Sequence, residues 1–234
     1  MSEGSKNNNS DNLMKKLSDL LHNRPSKGRF REQLFWLVDI IYACKNSNNT
    51  LLVEEAYLME DALGRLSEFL KTGDQQALTD ATKRVEQFAR IVKAAVMGDK
   101  LEFNIFLSYA TQDNTLFRIP EIARRLEELP SVYRVFYWEK DSGQNIIEYM
   151  EENLERSKIF IHFCTENSKK SKSVKLEREA AIQLKQEDRI RIIPVFQDPS
   201  DIPLLIKPFL GVQFDTENFD NFIEILNREI FRKK

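Results

Sequence analysis

Two cysteines in 234 residues are too few for a disulfide scaffold. Cys44 and Cys164 each lie inside an apolar run, and a reducing, cytoplasmic setting is the expectation. Long hydrophobic runs are also missing, since no stretch reaches the roughly 18 uninterrupted apolar residues of a membrane span. The first dozen residues are polar, with Asn7, Asn8 and Asn9 in series, and lack the apolar region of a signal peptide, so neither export nor insertion is expected. There is no excess of one charge. Lys and Arg number 35 against 37 Asp and Glu, a net charge of -2, which gives no reason to expect nucleic acid or an anionic membrane as partner. No Gly-x-Gly-x-x-Gly fingerprint occurs. His162 and Cys164 alternate in one apolar run and so share a face. Two ligands are not a zinc site, His22 and Cys44 are remote in sequence, and no metal is expected. His162 and Cys164 are read as core residues.

What is present is the composition of a folding chain. Hydrophobic residues at 41% and charged residues at 31% sit near globular averages and exclude a mostly disordered or collagen-like chain. The length suits one large domain or two small ones. The pattern changes near Met97 to Leu101, where Gly98, Asp99 and Lys100 separate a helical period from a segment dense in β-branched and aromatic residues. The expected domains are therefore 1–100 and 101–234.

In the first half, Leu13, Leu17, Leu20 and Leu21 read as a short amphipathic helix stopped by Pro25 and Gly28. A second helix is expected over about 30–44, with Leu34, Leu37, Val38 and Ile41 on its apolar stripe, before the break at 46–49. A third covers about 51–69 through Leu52, Ala56, Met59, Leu63 and Leu66, a turn falls at 71–73, and a fourth covers about 74–96. Short connections between amphipathic helices predict an antiparallel all-α bundle. Phe35, Trp36 and Tyr42 are expected inside it, the alternative being an exposed partner-binding face. The bundle carries no nucleotide loop or metal motif, and its expected role is assembly or regulation.

In the second half, strand-length apolar runs at 103–108, 134–138, 159–164 and 190–196 alternate with helical patterns at about 115–128, 145–156, 174–186 and 216–231. A short edge strand fits 211–214. This βαβ alternation predicts an α/β fold, a flavodoxin-like, doubly wound parallel five-stranded sheet. Such sheets bind ligands beyond the carboxyl ends of their strands, which directs attention to 108–113, 138–145 and 164–177.

Four phrases in those regions carry a resemblance. They are Phe103-Asn104-Ile105-Phe106-Leu107-Ser108-Tyr109-Ala110 followed by Asp113, Val135-Phe136-Tyr137-Trp138-Glu139-Lys140-Asp141 leading through Ser142-Gly143 to Ile146, Ser168 followed by Ser173-Val174-Lys175-Leu176-Glu177-Arg178-Glu179-Ala180-Ala181, and Ile192-Ile193-Pro194-Val195-Phe196. Their order and spacing resemble the Toll/interleukin-1 receptor, or TIR, domain, over roughly 102–232. The family often has Pro-Gly where Ser142-Gly143 stands. In its NAD-cleaving members the third phrase commonly begins Trp-Val-x-x-Glu; Val174 to Glu177 match the last four positions, and Ser173 stands at the Trp.

The resemblance implies a prokaryotic-type, NAD-cleaving member with an N-terminal helical domain. It implies Glu177 as the catalytic carboxylate and NAD as substrate, with no cofactor. The products would be nicotinamide and either ADP-ribose or a cyclic variant. Ser108, Tyr109, Ala110, Trp138, Asp141, Gly143 and Ser173 are the expected nucleotide-binding residues. Self-association through the TIR-like and helical domains, alongside another TIR-domain partner or effector, would operate in antiviral defence or stress signalling. The alternative is a non-enzymatic scaffold for homotypic interactions, and a third reading is an enzyme for a related nucleotide such as NADP.

Read without the family, Glu177 is one of several charged residues on a helix face. Glu179 lies roughly 200 degrees around that helix and forms no paired-carboxylate site with it. Tyr109 has a packing reading beside its ligand reading. Asp113 could fix its loop or cap the following helix, and capping is the expectation; Trp138 offers a stacking surface or a core contact, and Lys169-Lys170-Ser171-Lys172 reads as a solvated basic loop, with a phosphate or acidic partner as the alternative.

Overall fold

Asparagine chemistry and left-handed glycines shape the helical half. The computed structural model describes residues 15, 16, 19, 30–73, 75–98, 101–129, 131–138 and 146–232. The chain divides into two compact units, Met1–Lys100 and Leu101–Lys234. The first contains α1 (Phe30–Lys45), α2 (Thr50–Thr72) and α3 (Gln75–Met97). After α1, the Asn46 side-chain amide donates to the Tyr42 carbonyl at 2.8 Å, and Asn49 Oδ1 accepts from the Leu51 amide at 3.1 Å. These side chains meet backbone groups that a helix end leaves open. Gly73, at φ 74°, closes the turn from α2 to α3. The expected helix around Leu13 to Leu21 falls largely outside the described residues.

In this unit α2 packs against both α1 and α3. Leu52, Ala56 and Met59 of α2 are buried, as are Phe88, Ile91 and Val92 of α3. From α1 the buried set is Trp36, Leu37, Ile40, Ile41, Ala43 and Cys44. The expected stripe is therefore corrected. Leu34 and Val38 are exposed, and Phe35 and Tyr42 stand out at 63% and 66% exposure instead of entering the bundle. The reason is that α1 is apolar around most of its circumference, so two stripes at helical spacing compete and only the neighbouring helix selects one.

The second unit is a five-stranded parallel sheet in the order β2-β1-β3-β4-β5. Its strands are β1 (Phe103–Ser108), β2 (Val132–Phe136), β3 (Ser157–Cys164), β4 (Arg191–Phe196) and β5 (Val212–Gln213). Between them lie α4 (Asn114–Phe117), α5 (Ile119–Glu127), α6 (Ile146–Glu155), α7 (Glu166–Lys170) and α8 (Lys172–Gln186), and α9 (Phe219–Phe231) follows β5. Alternation along each strand sends side chains to two cores. Ile105, Leu107, Tyr109, Ile161 and Phe163 meet Ile122 and Leu126 of α5 and Phe222 and Leu226 of α9. Phe106, Phe160, Cys164 and Ile192 meet Tyr149 and Leu154 of α6 and Ala181 of α8. Each fully buried Leu, Ile or Phe contributes about 1.5–3 kcal/mol against exposure.

Several elements differ from the sequence expectation for local reasons. The helix expected over 115–128 is broken at Arg118, which adopts φ 55° and ψ 44° between α4 and α5. Pro120 has no amide proton to return to the preceding turn, so the helix restarts there. The Arg118 guanidinium instead covers the Phe219 ring at 3.8 Å. Strand β2 begins at Val132 and ends before Trp138. Helix α7, absent from the expectation, is made by a reciprocal cap in which the Ser168 amide donates to Thr165 Oγ1 at 3.0 Å and the Thr165 amide to Ser168 Oγ at 2.9 Å.

The β4–β5 edge depends on a close backbone approach. A Cβ added at Gly211 would lie 2.8 Å from Phe196 Cε1 and 2.9 Å from the Pro194 carbonyl oxygen. The backbone oxygen cannot swing aside. Gly211→Ala is expected to destabilise the protein by about 1–3 kcal/mol, read as a lower midpoint in urea unfolding followed by circular dichroism. An unchanged midpoint would show that this edge yields freely.

Candidate active site

The carboxyl ends of β1 and β3 supply the floor of the site. These strands are neighbours in parallel register, with Phe106 opposite Phe160, Leu107 opposite Ile161 and Ser108 opposite His162. Ser108 and His162 share the parity of Phe106 and Phe160, so both face α6 and α8. Their side chains meet, with Ser108 Oγ 3.2 Å from His162 Nδ1. Both residues are fully buried.

Helix α8 brings the third member. Its N-cap is Ser171, whose Oγ accepts from the Val174 amide at 3.4 Å. Val174, Glu177 and Ala181 fall at spacings of three and four and form its buried face. Glu177 is thereby carried inward, 6% exposed, where its carboxyl is hydrogen-bonded by the Ser108 side chain. It makes no ion pair among the described residues. Burial pushes its pKa up to about 7, against which the Ser108 hydrogen bond acts. His162 moves the other way, down to about 3, first through burial and then through the positive charge of Arg178. The imidazole is therefore neutral at ordinary pH. Burial raises the Cys164 thiol to about 12, which removes it as a nucleophile near neutrality.

A second set of contacts binds the rim. Asp113 is 3% exposed and stands at the N-cap of α4, but its side chain makes no capping bond. It accepts instead from Thr165 Oγ1 at 2.5 Å and from Asn167 Nδ2 at 2.7 Å. The expected capping role is thus corrected. Because β1 and β3 are adjacent, the loops leaving them put two donors within reach of one buried carboxylate, and those bonds displace a cap on a four-residue helix. The basic run at 169–172 is also not a simple solvated loop. Lys169 donates to Glu166 at 2.7 Å, to Asp201 at 3.1 Å and to the Ser200 carbonyl at 3.2 Å, tying α7 to the segment after β4.

Of the residues expected to bind nucleotide, Ser108 lies against Glu177, and Ser173 lies one helical turn before it on α8, half-buried, with Oγ 3.1 Å from Ser171 Oγ. The Tyr109 ring belongs to the core on the opposite face of the sheet. Ala110 is buried, and its carbonyl accepts from the Asp113 amide at 2.8 Å. Trp138 packs edge-on to Tyr149 at 5.5 Å, against the core beneath α6 and α8. Asp141 and Gly143 lie outside the described residues. His162, expected only as core, also belongs to this floor; its signal in the sequence is a lone polar residue near the end of an apolar strand, at the level where β1 ends in Ser108. Among the described residues, no three His, Cys, Asp or Glu side chains converge as a metal site, and no helix is long and apolar enough to cross a membrane.

The buried carboxyl has a thermodynamic signature. Its pKa is higher in the folded protein than its ordinary value of 4.5, so between about 4.5 and 7 the folded state binds more protons and stability falls as pH rises. Glu177→Gln removes that cost. The variant is expected to exceed wild type at pH 8 by about 3 kcal/mol, with the gap closing near pH 4.5, in urea unfolding at the two pH values. A variant less stable than wild type at pH 8 would show that the carboxylate is structurally required.

Comparison with known proteins follows the same span. The model of the TIR domain family matches residues 105–226, which include Ser108, His162 and Glu177. Among solved structures, the chain is similar to the TIR domain of the Toll-related receptor TRR-2 from the lower metazoan Hydra magnipapillata, at 18% identity and a TM-score of 0.45, covering 56% of this chain and 99% of that one. No curated protein matches the chain.

Proposed function

This chain belongs to the TIR domain family, and from that premise we propose that its second unit is an NAD glycohydrolase with Glu177 as the catalytic carboxylate. The observation that carries the reading is Glu177 itself. A carboxyl that is 6% exposed, pairs with no cation among the described residues and is met by Ser108 costs stability that the fold does not need to spend. It also lies by the carboxyl ends of β1 and β3, where sheets of this kind take their ligands.

The chemistry suits one carboxylate. Breaking the nicotinamide–ribose bond sends its electron pair to the pyridinium ring, so nicotinamide leaves neutral and needs no proton. Positive, oxocarbenium-like charge develops on the ribose, and an ionised Glu177 stabilises it. Water then adds to the ribose carbon and loses a proton to give ADP-ribose. A nucleophilic atom of the same nucleotide would give a cyclic product instead. The ionised form is the competent one, so kcat/KM is expected to fall as pH drops through about 7, the pKa to which burial raises Glu177.

Self-association through the TIR and helical units, in defence or stress signalling, completes the reading. Activity that rises more steeply than protein concentration would support a site completed by a second copy. A non-enzymatic scaffold is the second reading. It is favoured by Ser173 at the position where NAD-cleaving relatives commonly carry Trp, and by Leu204, Leu205 and Leu210, exposed at 82%, 67% and 55%.

The test is to incubate the full chain with NAD at several protein concentrations and separate the products by liquid chromatography with mass detection, beside a folded Glu177→Gln control. Nicotinamide release that falls by about 100-fold or more in the variant supports the enzyme, and the mass of the second product assigns hydrolysis or cyclisation. No release by associated wild type favours the scaffold, and equal release by both proteins removes Glu177 from the catalytic role.

A further inference from the structure

The cleavage step leaves the imidazole beneath Glu177 without a role. Ser108 carries one hydroxyl proton and stands between two groups able to accept it, the Glu177 carboxyl and His162 Nδ1 at 3.2 Å. A hydroxyl donates once and accepts through its lone pairs. If Ser108 donates to Glu177, it must accept from His162.

The surroundings of His162 decide the direction. Burial and the Arg178 charge keep the ring neutral, so it holds one N–H. Nε2 is buried with no hydrogen-bond partner among the described residues. A proton on Nε2 would leave an unmet donor in the core, whereas a proton on Nδ1 reaches Ser108 and leaves only a lone pair bare. Orphaned buried N–H groups are the rarer of the two defects. The Phe160 ring, stacked on the imidazole at 5.9 Å and 13° between planes, adds an apolar wall and no acceptor in the ring plane.

We propose that His162 is a positioning residue for Glu177: its Nδ1–H holds Ser108 so that the hydroxyl donates to the carboxylate, and by polarising that hydroxyl it favours the ionised form. Its effect on NAD cleavage rests on the reading of Glu177 given above; the hydrogen-bond relay itself does not. On the surrounding elements Glu151 and Glu152 of α6, Lys158 of β3 and Lys172 of α8 are exposed, and other charged groups pair with one another. Lys169 of α7 pairs with Glu166 and Asp201, Glu155 of α6 with Arg189, Arg191 of β4 with Glu229, and on α8 Lys175 pairs with Glu179. Asp113 is held by Thr165 and Asn167, and β1 has no charged side chain. Arg178 acts on His162, where it disfavours the imidazolium.

The chain has two histidines, His22 and His162, so long-range nitrogen–proton correlation spectra of the full-length protein give two ring patterns. The pattern lost in His162→Asn belongs to His162. A neutral Nδ1–H tautomer between about pH 5 and pH 8 is expected; an Nε2–H tautomer, or an imidazolium in that range, overturns the proposal. A carboxyl-carbon NMR titration, with the Glu177 signal assigned by its loss in Glu177→Gln, supplies the second readout. His162→Phe keeps the ring volume and removes the donor, and is expected to raise the Glu177 midpoint by about half a unit to one unit. His162→Asn, whose amide can replace Nδ1–H, is expected to return it towards wild type. An unmoved midpoint in a folded His162→Phe protein refutes the positioning role. Neither measurement requires NAD turnover, so failure of the relay and failure of the NAD reading are separate results. If turnover is present, the acid limb of kcat/KM follows the same order in the three proteins.

Discussion

The parallel pairing of β1 with β3 is the constraint on which the rest of this unit depends. It sets Ser108 opposite His162 and sends both to the side of the sheet covered by α6 and α8. A slip of one residue would move Ser108 to the opposite core and bring Tyr109 to face Glu177, because strand side chains alternate with a period of two. Register is held by apolar side chains on both faces, including Leu107, Ile161 and Phe163 on one and Phe106 and Phe160 on the other. The same pairing brings the two strand exits close enough for Asp113 to accept from Thr165 and Asn167. Floor and rim thus have a common origin.

The polar groups on this floor oppose the stability that the surrounding core provides. Glu177 has a raised pKa and His162 a lowered one, and in both cases burial is the leading cause because it penalises the charged form. Ser108 lets the two groups coexist, since a hydroxyl can accept from one neighbour while donating to the other. The linked pH effects have opposite signs. Glu177 lowers stability as pH rises through the interval up to about 7, whereas His162 lowers it as pH falls from 6.5 towards about 3, because the unfolded imidazole takes up a proton that the buried ring refuses.

The helical unit shows a different limit on what pattern can specify. Its breaks follow from short polar side chains at Asn46 and Asn49 and from the left-handed Gly73, all local effects. Which side of α1 is buried is not local. Phe35 and Trp36 are adjacent aromatics on one helix, yet one is exposed and the other buried, because about 100 degrees separates neighbouring side chains and the packing partner selects the direction.

The amino-acid sequence determined the βαβ alternation, the parallel doubly wound sheet and the segments at its carboxyl edge, since strand and helix periods and near-continuous apolar runs are properties of neighbouring residues. It also placed Val174, Glu177 and Ala181 on one side of their helix through their spacing. Tertiary structure decided what those side chains meet. Ser108, His162 and Glu177 are separated by 54 and 15 positions, and no local period relates them; strand order and register make the first two partners, while the packing of α8 brings in the third. Asp113 followed the same rule: its neighbours suggest a cap that it does not make, and its actual donors, Thr165 and Asn167, come from the segment after the adjacent strand. Burial then fixed the protonation of Glu177 and His162, because the energy of a charge depends on the medium around it rather than on its neighbours in sequence.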